Sequence, residues 1–216
     1  MAGTIQAVLF DWDGTLLNSF HADSSAYLAM FREMGIDWGL DELAQHYSPN
    51  WYDVYRAAGL APERWGAADL AWRAQYSNHR PKLMTGARKV LAAIRKNYRM
   101  GLVTSGDRDR VLGQLREFKM TQLFGVRVCS GDTQRKKPHP EPLLEAARRL
   151  KVDPRHCVYV GDDERDIAAG LAAGMATVAA TYGYLGGNGN TMAWGAHAQI
   201  KSPFELLPLL QFRPRA

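Results

Sequence analysis

The feature that most constrains the fold of this chain is the stretch Val8–Leu17, VLFDWDGTLL. An apolar run typical of a buried strand ends in two carboxylates, Asp11 and Asp13. Both point the same way if the strand continues, because side chains alternate with a period of two. Neighbouring carboxylates repel, and one is pushed toward protonation unless a positive charge lies beside them. The stretch therefore predicts a core strand whose end carries a site that needs a cation, followed by a turn at Gly14.

Further apolar runs along the chain predict more strands, with helical segments between them. The runs are Met100–Thr104, Val126–Cys129, Cys157–Val160, Ala176–Ala180 and Ala198–Ile200. Strands that alternate with helices indicate right-handed crossovers and a doubly wound, parallel α/β sheet of the Rossmann-like type. Ligands of such sheets bind beyond the carboxyl ends of the strands. We therefore expect Asp11, Thr104 and Gly161–Asp162 at one edge of the sheet.

Residues 18–84 break this alternation and predict a separate helical domain. The segment holds eleven of the 22 aromatic residues, shows no convincing strand, and has helical patterns at Ser24–Met34 and Ala67–Tyr76. We expect a Rossmann-like core formed by residues 1–17 and 85–216, with an all-helical insert at residues 18–84. The aromatic stretch Tyr47–Tyr55 is either a ligand-facing surface of the insert or part of its core.

Composition excludes several kinds of protein. The 216 residues contain no run of eighteen apolar residues that would predict a membrane-spanning helix, and the N-terminal stretch MAGTIQAVLF lacks the basic region and cleavage site of a secretory signal. The two cysteines, Cys129 and Cys157, lie in apolar, strand-like stretches and predict no disulfide framework. We therefore expect a cytoplasmic protein without a membrane partner.

Positive charge is unevenly distributed along the chain. The net charge is +5, but residues 18–81 hold eight acidic residues against five arginines, a net charge of −3, so the remainder carries +8. The basic side chains of the remainder are scattered over helix-like segments such as Arg108–Lys119 and Arg148–Lys151, which is typical of solvated helix faces. We expect a small anionic ligand and no nucleic acid partner.

A second motif, GLVTSGDRDR, places polar groups at the end of a predicted strand. Thr104 lies at the strand end, and Ser105 and Gly106 lead into a helix. Hydroxyl groups and free amides at a helix N-terminus suit phosphate oxygens, so these three residues are candidates for phosphate binding. Taken alone, the motif is a weak signal, because Thr-Ser-Gly more often forms only a capped turn.

Two later motifs supply a lysine and a second acidic strand end. In KKPHPEP the two prolines restrain the backbone just beyond Lys137, so this lysine can neutralise a phosphoryl oxygen together with the acidic pair. In VYVGDDERDIAAGLAAGM a buried strand ends at Asp162, and Asp166 lies one helical turn further on. An exposed lysine and an N-cap at Asp162 or Asp163 are the simpler structural explanations of each motif by itself.

Together the four motifs resemble the haloacid dehalogenase superfamily, specifically its phosphatases with a helical cap inserted after the first motif. The order DWDGT, strand-end threonine, KPHPEP and GDDERD runs over nearly the whole chain. The closest resemblance is to phosphoglycolate phosphatases and related small-molecule phosphatases. This resemblance implies a Mg²⁺-dependent enzyme that hydrolyses a small phosphorylated metabolite through an aspartyl-phosphate intermediate.

The resemblance also implies a role for each motif residue. Asp11 is the expected nucleophile and Asp13 the expected general acid and base. Thr104 and Lys137 are expected to hold the phosphoryl oxygens. The expected magnesium ligands are Asp11, the backbone carbonyl of Asp13, and Asp162. Asp166 is expected to stabilise the metal site without contacting the ion.

Alternatives within the same fold stay open at this level. A phosphoglucomutase-like enzyme can return the phosphoryl group to a sugar, and a scaffolding protein can keep the fold without turnover. Phosphonate-cleaving relatives need a lysine in the inserted domain, and residues 18–81 contain none. Dehalogenases lack the second acid, because halide departure needs no proton, so Asp13 argues against them. We expect the protein to act as a monomer or a weak dimer.

Overall fold

The computed structural model describes residues 4–48, 50–185 and 190–211. The chain divides into two compact units, one made of Met1–Asn18 and Leu83–Ala216 and the other of Ser19–Lys82. The chain therefore leaves the first unit shortly after its opening strand and returns to it for the remaining strands. The bounds lie within two residues of those expected from the sequence.

The described residues form strands that fall into two sheets. The strands are β1 (Ala7–Phe10), β2 (Leu17–Asn18), β3 (Lys82–Leu83), β4 (Arg99–Val103), β5 (Val126–Val128), β6 (Cys157–Gly161), β7 (Ala176–Ala180) and β8 (Ala198–Ile200). Six of them form a parallel sheet in the order β5-β4-β1-β6-β7-β8, and β2 pairs with β3 in a separate ribbon. The predicted parallel sheet is confirmed. The predicted ends at Thr104 and Cys129 were each one residue too late.

Helices of the first unit cover both faces of the large sheet. The α-helices of the described residues, in both units and in chain order, are α1 (Phe20–Glu33), α2 (Leu40–His46), α3 (Trp51–Ala57), α4 (Trp65–Tyr76), α5 (Ala87–Ile94), α6 (Arg108–Glu117), α7 (Glu141–Leu150), α8 (Glu164–Ala172) and α9 (Leu206–Gln211). Val8 and Phe10 pack with α5 and α6 on one face, whereas Leu9 packs with α7 and α8 on the other. This alternation along β1 follows from the period of two and confirms the doubly wound architecture.

The order of the strands fixes where a ligand can bind. β1 lies in the middle, and the chain places β4 and β5 on one side of it and then β6, β7 and β8 on the other. The crevice beyond the carboxyl ends of the strands beside such a reversal is the usual ligand site of an open α/β sheet. In this protein that edge carries the residues that follow β1, β4 and β6.

The second unit is helical, as predicted, apart from Lys82, which begins β3. Its helices α1–α4 pack around an aromatic core that includes Tyr27, Phe31 and Tyr55, with ring centroids about 6 Å apart. The stretch Tyr47–Tyr55, whose Pro49 lies outside the described residues, contributes Tyr55 to this core and packs Tyr47, Trp51 and Tyr52 against it. These contacts favour the interpretation that this stretch mainly stabilises the unit.

The structure also describes the two cysteines and the length and apolar character of the helices. Cys129 and Cys157 are buried free thiols. Among the helices of the described residues, none combines the length and the apolar character needed to cross a bilayer.

Candidate active site

The candidate site lies at the carboxyl edge of the large sheet. Asp11 directly follows β1, and its amide donates to the carbonyl of Val160 in β6, with an N–O distance of 2.9 Å. Thr104 follows β4, and Asp162 follows β6. Asp11, Thr104 and Asp162 are all buried. Buried carboxylates need charged or hydrogen-bonding partners, so the surroundings of these aspartates decide what the site can do.

The ammonium group of Lys137 is one such partner. Its Nζ atom lies 2.8 Å from Oδ1 of Asp11 and 2.6 Å from Oδ1 of Asp166, and it donates to the hydroxyl of Tyr159 at 2.9 Å. The lysine side chain is only 5% exposed. The structure therefore brings Lys137 to the end of β1 although 126 positions separate it from Asp11.

The two carboxylates that contact this lysine belong to a cluster of three buried aspartates. Asp11, Asp162 and Asp166 each offer an oxygen, and these oxygens lie within 4.8 Å of one another. Burial raises the pKa of Asp11 to about 8, against the lowering effect of Lys137. Burial and the charges of Asp11 and Asp166 raise the pKa of Asp162 well above its ordinary range. The cluster therefore holds more negative charge than one ammonium group balances.

This excess charge fits a divalent cation. Ionisation of all three carboxylates beside one ammonium group would leave a net charge of −2 in a buried space, and the raised pKa values of Asp11 and Asp162 reflect that cost. Carboxylate oxygens are the donors that Mg²⁺ prefers, and it is usually bound by one or two carboxylates with further oxygens from water and substrate. Asp166 has both carboxylate oxygens engaged, by Lys137 and Tyr159 and by the amide of Asp163, whereas Asp11 contacts Lys137 through Oδ1 alone. Asp11 and Asp162 are therefore better suited to this role.

Asp162 is held in place by the first motif. Its Oδ1 accepts a hydrogen bond from the Thr15 hydroxyl at 3.0 Å. Gly14 has a φ of +80°, and a Cβ atom at that position would lie 2.2 Å from Oδ2 of Asp162. A Cβ atom at Gly183 would lie 2.4 Å from the same oxygen. Both glycines are therefore required by the close approach of this carboxylate, which explains why DGT follows the strand.

The neighbouring acids of the fourth motif have separate tasks. Asp163, and not Asp162, is the N-cap of α8, and its carboxylate accepts from the amide of Arg165 at 2.7 Å. Asp166 reaches back to the amide of Asp163 at 3.3 Å and also accepts from Lys137. The helix start therefore leaves Asp162 directed at Thr15 and the cluster, and it fixes Asp166 behind the lysine.

The strand-end threonine lies beside a small polar cleft. Thr104 Oγ1 accepts from the amide of Gly106 at 3.0 Å, so this amide closes a local turn. The cleft is lined by Thr104, Ser105, Cys129, Ser130, Gly131, Thr133, Lys136, Lys137 and Pro142. The structure thus brings Thr104, Ser105 and Lys137 to one cavity, whereas the Gly106 amide is engaged within its own loop.

The Asp13 carboxylate is bound by an arginine that the sequence analysis assigned to a solvated helix face. Nη1 of Arg110 lies 2.9 Å from Oδ1 of Asp13, and Nη2 lies 2.6 Å from Oδ2. The side chains of this ion pair are 15% and 27% exposed, respectively. Asp13 is not a member of the carboxylate trio around Lys137. Its expected contribution of a backbone carbonyl to a metal stays a prediction.

Two further residues of the site carried no recognisable signal in the sequence. Tyr159 lies within a strand as an ordinary core aromatic, yet its hydroxyl contacts Lys137, Asp166 and the carbonyl of Val103. Gly183 lies 21 residues beyond Asp162, and only its closeness to that carboxylate identifies its role. Arg110 did carry a signal, since it lies on the first turn of a helix that begins just after the strand-end motif.

The fold and the site define a doubly wound α/β protein with a strand-end aspartate, a buried lysine and a second strand-end aspartate. A family model for haloacid dehalogenase-like hydrolases matches residues 8–180, and the chain belongs to this family. The predicted superfamily is therefore confirmed. The match covers all four motifs, including the stretch that forms the second unit.

Curated relatives agree on the class of enzyme but differ in substrate. The chain is 32% identical over 210 residues to the N-acetylmuramic acid 6-phosphate phosphatase of Pseudomonas putida, covering 94% of each protein. It is 36% identical over 221 residues to the phosphoglycolate phosphatase of Xanthomonas campestris pv. campestris, covering 93% of this chain and 94% of the relative. The chain is thus a phosphatase of the family, as predicted, and these names leave its substrate open.

Solved structures show the same fold. A Lactobacillus plantarum protein described as a candidate phosphoglycolate phosphatase superposes with a TM-score of 0.87 at 22% identity, covering 96% of this chain and all of that one. At this level of identity the likeness shows the fold alone.

Proposed function

We propose that this protein is a Mg²⁺-dependent phosphatase that hydrolyses a small phosphorylated metabolite through a phosphorylated Asp11. The observation that carries the proposal is the buried cluster in which Lys137 lies 2.8 Å from Asp11, beside Asp162 and Asp166. A carboxylate that attacks a phosphate anion is repelled by it, and positive charge on both sides of the reacting groups removes that repulsion. The cluster provides the lysine and a suitable set of metal ligands.

The metal would be held by Asp11, Asp162 and the backbone carbonyl of Asp13. When bound, Mg²⁺ supplies positive charge that polarises the phosphoryl group and keeps the carboxylates ionised. Thr15, Gly14 and Gly183 keep the Asp162 carboxylate in position for this task. Lys137, Thr104 and Ser105 line one cavity and would hold phosphoryl oxygens.

The reaction would proceed in two balanced steps. An oxygen of Asp11 forms a bond to phosphorus as the bond to the leaving alcohol breaks, and Asp13 donates its proton to the departing oxygen. Water then attacks the acyl phosphate, Asp13 accepts the proton of that water, and Asp11 is released as a carboxylate with inorganic phosphate. Splitting the reaction lowers the barrier of each step. Proton transfer of this kind contributes about 10²–10⁴-fold.

The helical unit, predicted at residues 18–84, would act as the cap that selects the substrate. Two relatives are named for phosphoglycolate and N-acetylmuramic acid 6-phosphate, and each compound carries a carboxylate as well as a phosphate ester. These compounds are therefore the first candidates for the substrate. We also propose that the enzyme acts in the cytoplasm as a monomer or a weak dimer.

Phosphate release tests the proposed activity. We expect Mg²⁺-dependent hydrolysis of p-nitrophenyl phosphate that EDTA abolishes, and then a preferred substrate among about a hundred phosphorylated metabolites. Isomerisation of a sugar 1-phosphate without phosphate release would instead indicate a mutase. A protein that binds Mg²⁺ but releases phosphate from none of the compounds would be a scaffold, and the proposal would be withdrawn.

Magnesium is expected to stabilise the folded protein. A ligand at a hundred times its dissociation constant adds about 2.7 kcal/mol to the free energy of unfolding. For a chain of this size that corresponds to a rise in Tm of about 5–10 °C. Thermal unfolding with and without MgCl₂ measures the effect, and K⁺ at equal ionic strength controls for screening.

The same measurement on Asp162→Asn tests the assignment of the ligand. Asn at this position removes one negative charge from the crowded cluster, so the metal-free variant should be at least as stable as the metal-free wild type. The Mg²⁺-dependent rise in Tm should disappear. An unchanged rise would show that the ion binds elsewhere.

A further inference from the structure

The ion pair between Asp13 and Arg110 has the geometry of a built clamp. Both carboxylate oxygens are engaged, at 2.9 and 2.6 Å, by the two terminal nitrogens of one guanidinium group. A parallel two-bond pairing of this kind fixes the plane and direction of a carboxylate, which a single contact does not. The Asp13 side chain is therefore oriented before any substrate binds.

The arginine is itself anchored from the protein interior. Oε1 of Gln114, one helical turn further along α6, accepts from Nη1 of Arg110 at 3.3 Å and from the indole Nε1 of Trp12 at 2.8 Å. Trp12 is fully buried and lies next to Asp13 in the sequence. Trp12, the residue before Asp13, thus donates to Gln114 of α6, and Gln114 accepts from the arginine that holds the Asp13 carboxylate.

The loop before α6 leaves room for this arrangement. A Cβ atom at Gly106 would lie 2.5 Å from Nη2 of Arg110 and 3.0 Å from Oδ2 of Asp13. Any side chain at this position would push against the ion pair. The absence of a side chain at Gly106 is therefore a second, independent observation that the clamp has a dedicated space.

We propose that Arg110 is a positioning residue that holds the Asp13 carboxylate in the direction needed for the second half of the reaction. The proposal rests on the proposed function, because it assigns Arg110 to the step in which water attacks phosphorylated Asp11. In that step the water oxygen forms a bond to phosphorus, the bond from Asp11 oxygen to phosphorus breaks, and the water proton passes to Asp13. A carboxylate held at both oxygens by one guanidinium group keeps a fixed direction, so the water proton has an acceptor in place.

Kinetics separate this role from a general loss of structure. For p-nitrophenyl phosphate, kcat/KM reports the transfer to Asp11, and nitrophenolate leaves without a proton, so Asp13 contributes little to that step. By contrast, kcat includes the release of phosphate from Asp11. A residue that positions the base should therefore change kcat and leave kcat/KM nearly intact for this substrate.

Arg110→Met is expected to lower kcat about 10²-fold for p-nitrophenyl phosphate and to leave kcat/KM within about threefold of wild type. Phosphorylated Asp11 should accumulate toward one per enzyme in acid-quenched samples at saturating substrate. Arg110→Lys keeps the positive charge but loses the pair of terminal nitrogens that binds both oxygens of Asp13, so it should show an intermediate effect. Gln114→Met keeps the arginine without its anchor and should show the mildest one.

Two controls make the test specific. Arg108→Met removes an arginine from the same helix that pairs with Asp132 and is 47% exposed, and kcat should stay within twofold of wild type. In an Asp13→Asn background, Arg110→Met should cause no further loss of kcat, because the arginine acts only through Asp13. Thermal unfolding identifies any variant that fails to fold, and Arg110→Lys and Gln114→Met then carry the comparison.

The outcomes distinguish this inference from the proposed function. If wild-type protein neither hydrolyses phosphate esters nor forms a phosphorylated Asp11, the proposed function fails. If wild-type protein is active but Arg110→Met raises KM without lowering kcat, Arg110 binds substrate and the positioning role is wrong. Equal losses in kcat and kcat/KM without accumulation of phosphorylated enzyme would overturn the inference as well.

Discussion

Asp11→Asn is expected to abolish turnover while the protein remains folded. The amide oxygen of Asn lacks the negative charge of a carboxylate oxygen, so it is too weak a nucleophile to attack phosphorus. We expect kcat to fall by at least about 10⁴-fold, as for other enzymes that lose their nucleophile. The fold should persist because the variant removes one of three buried carboxylates that repel each other, and Lys137 keeps its contact with Asp166.

Three measurements on Asp11→Asn together test the nucleophile. Steady-state phosphate release should be lost, acid-quenched protein should carry no acyl phosphate, and the Tm without metal should be equal to or above that of wild type. Asp37→Asn, at an exposed position of the second unit, is the matched control and should behave as wild type. Phosphate release by Asp11→Asn at the wild-type rate would refute the proposed nucleophile.

Lys137→Met is expected to have the largest effect on stability. It removes the ammonium group that pairs with the buried carboxylates of Asp11 and Asp166 and leaves those two groups without their cation. Breaking a buried ion pair by removing one partner costs about 3–5 kcal/mol. For a chain of this length that corresponds to a fall in Tm of about 6–20 °C. Activity should fall as well, by about 10²–10³-fold, because phosphoryl charge loses a stabilising partner.

The pKa of Lys137 determines the pH range in which Lys137→Met reports the contribution of this lysine to stability. Burial lowers the pKa of Lys137, but Asp11 and Asp166 outweigh burial and raise it well above the ordinary value. A raised lysine pKa contributes stability that is fully present below the unfolded value of about 10.4 and is lost only as pH rises through the folded value. Measurements at neutral pH therefore record the whole contribution.

Magnesium provides the internal control for Lys137→Met. A divalent ion bound by Asp11 and Asp162 restores positive charge to the cluster. MgCl₂ should therefore raise the Tm of the variant by more than it raises the Tm of wild type. Lys89→Met, at an exposed position of α5, should change neither Tm nor activity. A Lys137→Met protein as stable as wild type without metal would show that the three carboxylates are already neutral.

The parallel sheet and its site edge were predictable because they depend on local patterns. The apolar runs of β1 and of β4 to β8 are short and bounded by polar or glycine residues, so their type and approximate ends follow from periodicity, whereas the two-residue strands β2 and β3 were not predicted. Strand ends of a parallel sheet meet at one edge, which is why Asp11, Thr104 and Asp162 could be grouped although they are far apart along the chain. Errors of one residue at Thr104 and Cys129 are of the size expected for strand ends.

The different roles of Asp162 and Asp163 could not be predicted from local patterns. Asp162 and Asp163 are adjacent and chemically identical, and either can cap the following helix. The structure assigns the cap to Asp163 because its amide and carboxylate pair with Asp166 and Arg165. This leaves Asp162 to Thr15 and the cluster, a choice that depends on the closeness of two loops.

The sequence by itself determined the family, the sheet, the helical insert and the set of acidic and basic residues from which the site is built, since these follow from motif order and from short-range periodicity. Only the tertiary structure decided which charge faces which: Lys137 meets Asp11 and Asp166, and Arg110 meets Asp13. The physical reason is that a long basic side chain on a helix or loop can face solvent or a buried carboxylate with the same local pattern. Its partner is selected by the packing of elements about a hundred residues apart.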